Sequence, residues 1–128
     1  EQLADGLISL CASARDVNGV VSKKPTRYFW YKDTAGPTAI FIGDASSIPA
    51  THWGTLALSL TVGGDEVTSY RHVLKTTNAT TCVGASYGVW QSRSVALNLS
   101  GLTNGYKLLC VQGRDSASNV QASPTILR

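Results

Sequence analysis

A chain of 128 residues suits one ordinary domain with a real apolar core. With 43% apolar and 15% charged residues it is no disordered tail, and its net charge of +3 is mild. Lysines and arginines are scattered, Lys23 and Lys24 being the only adjacent pair, which argues against a nucleic-acid partner; no apolar run is long enough to insert in a membrane.

Residues 1–10 lack the basic start and apolar stretch of a leader, and Glu1 reads as a boundary within a longer polypeptide. Residues 7–15 and 25–32 are expected to form a β-hairpin, the second arm carrying the aromatic run Tyr28, Phe29, Trp30 and Tyr31. The turn-rich segment 33–37 has the marks of a linker. The expected organisation is therefore the end of one unit over 1–32, a linker over 33–37 and a main domain over 38–128.

Within the main domain the apolar period is two, not 3.6. Ala39 to Ile42 makes a short first strand. Leu56, Leu58, Leu60 and Val62 alternate with Ala57, Ser59 and Thr61, and Gly63, Gly64 and Asp65 close that run. Thr68 to Leu74 is rich in strand formers. Val95, Leu97 and Leu99 alternate with Ala96, Asn98 and Ser100. Tyr106 to Gln112 and Val120 to Leu127 flank turn residues 115–119. No stretch carries a helical pattern. Short strands separated by Gly, Asn and Asp clusters make the chain all-β, an antiparallel β-sandwich preceded by a hairpin.

The chain also repeats itself. Residues 3–26 align without a gap on 102–125 at an offset of 99, the separation of Cys11 from Cys110. The identical pairs are Leu3/Leu102, Gly6/Gly105, Leu10/Leu109, Cys11/Cys110, Arg15/Arg114, Asp16/Asp115, Val21/Val120, Pro25/Pro124 and Thr26/Thr125. A period this long suits a sandwich domain and is far too long for a helical solenoid. The front hairpin is thus the tail of a preceding repeat.

The segment from Leu97 to Asp115 resembles the late strands of bacterial immunoglobulin-like and fibronectin type III-like repeats. Lys32-Asp33-Thr34-Ala35-Gly36-Pro37-Thr38 resembles the linkers that join such repeats in large surface proteins of Gram-negative bacteria, and Tyr70 to Leu74 corresponds to one of their strands. Ser118 stands where that family usually has glycine. The resemblance implies an immunoglobulin- or fibronectin-III-like fold at the bacterial cell surface. It also implies a disulfide between Cys82 and Cys110, which suits an oxidising compartment and closes a loop of about 27 residues, contributing roughly 3–4 kcal/mol. On the residues alone, Cys110 as a small buried hydrophobe and Cys82 as a free thiol fit as well. Cys11 is left unpaired or bonded between chains.

No catalytic motif is present: no Gly-x-Ser-x-Gly elbow, no phosphate-binding loop and no His-Glu-x-x-His. His52 and His72 are isolated, and His72, within a strand, is expected at the surface. No enzyme, cofactor or metal is implied. Asp16, Asn18, Asp115 and Asn119 suggest either a calcium loop or, more simply, carboxylates bonding the backbone of a turn. Aromatic residues are the best lead to a partner. Trp53, Tyr87 and Trp90 fall in loops, where rings stack on ligands such as sugars. Trp90 also fits the large core aromatic that a sandwich needs. The aromatic arm from Tyr28 to Tyr31 leaves a marginal hairpin with an open edge, so it is expected to build a homo-oligomer. The expected function is a surface or fibre-tip binding module, adhesin-like, for a glycan or cell-surface ligand. A structural spacer repeat and an ancillary domain of a secreted hydrolase are the alternatives.

Overall fold

The computed structural model describes residues 2–42 and 57–128. They form β-strands joined by turns and irregular segments, in antiparallel sheets, and divide into two compact units, 1–34 and 35–128. Among the described residues no helix is long and apolar enough to cross a membrane.

The first unit is a two-stranded hairpin of β1 (Gly6–Ala12) and β2 (Thr26–Lys32), with Leu7 opposite Tyr31, Leu10 opposite Tyr28 and Cys11 opposite Arg27. Its turn is organised by Asp16. That carboxylate accepts the N–H groups of Asn18 (2.9 Å) and Val20 (2.8 Å), while Gly19 supplies the positive φ of 84° that closes the turn. At the open end the Asp5 carboxylate accepts the Thr34 hydroxyl (2.7 Å) and the Lys32 ammonium (3.1 Å). Those two hydrogen bonds, the Thr34 one foremost, hold its carboxyl below the usual range.

Among the described residues the second unit has seven strands in two sheets. β3 (Ile40–Ile42), β4 (Ala57–Gly63) and β7 (Leu97–Ser100) form one, in the order β3-β4-β7. β5 (Ser69–Thr76), β6 (Gln91–Ser92), β8 (Lys107–Arg114) and β9 (Thr125–Leu127) form the other, in the order β6-β5-β8-β9. One core fills the space between them. Leu60, Val62, Leu97 and Leu99 from the first sheet meet Tyr70, Leu109 and Val111 from the second, with Ala39 and Val67 alongside. Two sheets sharing one apolar layer make this a β-sandwich. Each such buried aliphatic side chain contributes about 1.5–3 kcal/mol relative to exposure.

The period of two in β4 and β7 has this cause: Leu60, Val62, Leu97 and Leu99 face the core, and Ser59, Thr61, Asn98 and Ser100 face solvent. β8 differs. Leu108, Leu109, Cys110 and Val111 are all buried, because both faces of that strand are covered. The core aromatic is Tyr70, whose hydroxyl donates to the Val95 carbonyl at 3.0 Å. Val95 itself is exposed and precedes β7, so it does not share the face of Leu97 and Leu99. His72, expected at the surface, lies half-buried two residues beyond Tyr70 on the core-facing side of β5.

The last strand is shorter than its sequence suggests. Val120 makes a single bridge to Arg114, and regular pairing resumes only at Thr125. Between them Gln121 keeps one backbone bond, its N–H donating to the Gly113 carbonyl (2.9 Å), and its buried side chain supplies the rest. Its Oε1 accepts the N–H groups of Ala39 (3.0 Å) and Gly113 (2.9 Å), and its Nε2 donates to the Ser123 carbonyl (2.7 Å) and to Thr125 Oγ1 (3.1 Å).

The two hairpins are the same object. Cys110 stands opposite Ile126 as Cys11 stands opposite Arg27, and the isolated bridges Arg15 to Val21 and Arg114 to Val120 also keep the offset of 99. Asp115 accepts the Asn119 N–H at 2.8 Å as Asp16 accepts that of Val20. Ser118 adopts φ 73° where Gly19 adopts 84°, so the serine leaves the turn geometry intact.

Candidate ligand-binding face

Alternation along the strands sends Arg71 and Val73 of β5, and Leu108, Cys110, Gln112 and Arg114 of β8, to the outer face of the four-stranded sheet. A loop crosses that face. The Cys82–Cys110 disulfide anchors it, with Cα atoms 6.0 Å apart, so Cys110 is a bridge and Cys82 no free thiol. Val73, Ala85 and Tyr87 pack around the bridge and Leu108 in a second small apolar cluster. Further on, the Gly88 N–H donates to the His72 carbonyl (3.1 Å) and Gln91 pairs with Tyr70, which lays residues 88–92 along the free edge of β5.

This path places two of the sequence-nominated aromatics together on the outer face. The Arg71 guanidinium lies 5.0 Å from the centre of the Tyr87 ring and 4.7 Å from that of Trp90. Arg114 lies over Trp90 as well, at 4.4 Å. The result is a stack in the order Tyr87, Arg71, Trp90, Arg114. Trp90 is therefore a half-exposed ring between two cations and not the core aromatic. Trp53 lies outside the described residues. Tyr28, Phe29, Trp30 and Tyr31 belong to the first unit, where all four are exposed.

The cations are held by neutral groups. Arg71 donates from Nε (3.0 Å) and Nη2 (2.7 Å) to Gln112 Oε1, Gln112 Nε2 donates to the Gln121 carbonyl (2.7 Å), and Arg114 Nε donates to Ser69 Oγ (3.1 Å). Among the described residues the one salt bridge is Lys32 to Asp5, in the other unit. The outer face thus carries two guanidinium charges without a carboxylate partner among the described residues. Arg71 keeps Nη1, and Arg114 both Nη groups, without a protein partner among the described hydrogen bonds. A guanidinium fork of this kind matches a carboxylate or sulfate.

Beside the stack is an open depression of about 480 Å³, lined by Cys82, Tyr87, Gln112, Ser123, Pro124 and Ile126 among others. The Tyr87 hydroxyl is buried without a hydrogen-bond partner, and burial pushes its pKa up against the opposing charge of Arg71. The carboxylates of Asp16 and Asp115 are engaged by the N–H groups of their own turns, which is the turn role rather than a ligand set. Sequence reasoning missed Arg71, Gln112 and Arg114. Their signal was cross-strand, because Arg71 faces Gln112 only through the β5–β8 register.

Fold and face together define a disulfide-stapled, antiparallel β-sandwich with a cationic aromatic stack on one outer face. No protein-family model, no curated protein and no solved structure matches the chain.

Proposed function

We propose that the chain is a stretch of an extracellular surface or fibre-tip protein built from immunoglobulin- or fibronectin-III-like modules, and that residues 35–128 bind an acidic glycan through the outer face of the four-stranded sheet. The observation that carries this reading is Trp90 held half-exposed between Arg71 and Arg114, with no carboxylate to neutralise either cation among the described residues. A flat ring supplies stacking area for a sugar, and the adjacent guanidinium groups supply charge-assisted donors for its acidic substituent. The disulfide is compatible with an oxidising, extracellular setting. Seven strands in two antiparallel sheets among the described residues, with β4 and β5 consecutive in sequence but in opposite sheets, support the module type.

A spacer role is the second reading, favoured by the recurrence of one hairpin at a fixed offset. Retention on immobilised polysaccharides separates the two. A binding module is held by a carboxylated or a sulfated polymer and passes through a neutral one. Which of the two acidic polymers retains it identifies the substituent. Arg114→Gln and Trp90→Ala should abolish retention with the disulfide and far-ultraviolet spectrum unchanged. Equal passage through all three columns leaves the spacer reading standing.

A further inference from the structure

In the second unit the β8–β9 hairpin has three partners. β5 pairs with β8 from Ser69 opposite Arg114 to Thr76 opposite Lys107. The three-stranded sheet covers the side of Leu109 and Val111. Cys82 bonds Cys110 on the other side.

The β1–β2 hairpin repeats β8–β9 in register, turn and φ. The described residues give it none of those partners. β1 pairs with β2 alone, and Cys11 is a free, exposed thiol. Leu10 and its neighbour Tyr28, which occupy the places of the core residue Leu109 and of Leu127, packed against that core, are 57% and 66% exposed. A two-stranded hairpin with apolar side chains bare on both faces is marginal in water.

We infer that this hairpin is a docking element for the remaining strands of another module of the same type. A β5-like strand adds to the free edge of β1, and a three-stranded sheet covers Leu10 and Tyr28. A cysteine in the place of Cys82 bonds to Cys11. The bond forms by exchange with an oxidised small-molecule disulfide: both protein thiols are oxidised to one S–S bond, and the small disulfide is reduced to two thiols. The occupant is fixed by the repeat, because the same hairpin in the same chain already shows what covers it.

The test uses the full chain with a probe cut from its own sequence. Residues 35–103 supply β3 to β7 and Cys82 but lack β8 and β9. They serve as the probe once they have been shown to recapture a peptide of residues 104–128, the hairpin they cover in this structure. The two are mixed at equal concentration in a glutathione redox buffer. The expected result is a one-to-one complex with a Cys11–Cys82 link by peptide mapping. Amide exchange in β1 should slow by about tenfold or more. With Cys11→Ser the link is lost and the β1 protection stays. A link without β1 protection, or no complex with the Cys11→Ser chain, overturns the inference. A dimer of the chain alone with the same β1 protection overturns it in favour of a second copy of the hairpin.

Discussion

The guanidinium of Arg114 lies over the Trp90 ring at 4.4 Å, with that of Arg71 4.7 Å from the centre of the same ring, and so ties the last residue of β8 to the segment that follows the disulfide loop. That contact does two jobs. It holds residues 88–92 against the sheet, and it keeps a ring and two cations side by side at the surface.

The stabilising half of that role is measurable. A cation–π contact at an exposed site contributes about 0.5–1 kcal/mol. Trp90 makes two, so Trp90→Ala should cost about 1–2 kcal/mol in urea unfolding, and Trp90→Phe less. A loss above about 4 kcal/mol would mark a core residue instead.

Gln121 should be far more costly to lose. Its side chain makes four hydrogen bonds at a buried junction between the start of β3, β8 and the approach to β9. Gln121→Ala leaves the N–H groups of Ala39 and Gly113 without an acceptor, at roughly 1–3 kcal/mol per buried orphan group. Thermal unfolding should therefore shift down by more than for Trp90→Ala.

Reduction of the disulfide separates the two clusters. Cys82 and Cys110 are 28 residues apart. Opening the bridge should lower stability by roughly 3–4 kcal/mol in the chain-entropy model. The Gly88 amide, held by the His72 carbonyl, should exchange faster, while amides of β4 and β7 keep their order of protection. Hydrogen exchange before and after reduction reads both.

His72 should contribute a pH dependence near neutrality. Its Nδ1 is buried without a partner, and burial lowers its pKa below the usual value of 6.5. Protonation therefore favours the unfolded chain. The contribution is complete above about pH 6.5 and is lost as pH falls from there through the lower folded value. The urea midpoint should drop between about pH 7.5 and pH 5, and His72→Gln should flatten that slope. Asp5 is shifted in the same direction, but its contribution is lost only in the carboxylate range near pH 4.

Much of the fold was legible in the residues. β4 and β7 show the alternation of strands with one wet face, and the repeat revealed the hairpin through Cys11, Arg15 and Asp16. The short β9 was not legible, because beyond the backbone bond of Gln121 to Gly113 the Gln121 side chain takes over from the ladder. Nor was the place of Trp90. Its sequence neighbourhood is compatible with a core or a surface ring, and only the β5–β8 register brings both Arg71 and Arg114 against it. Cationic partners two strands away leave no local pattern.

The most direct measurement is a nuclear magnetic resonance titration of the full chain with a carboxylated and a sulfated oligosaccharide. Binding at the outer face should shift the Trp90 indole N–H and the side chains of Arg71 and Arg114 together, with core amides such as Leu97 and Val62 unmoved. Saturation should weaken as salt rises. Shifts confined to the aromatic arm of the first unit, or none with either sugar, would contradict an acidic-glycan site on this face.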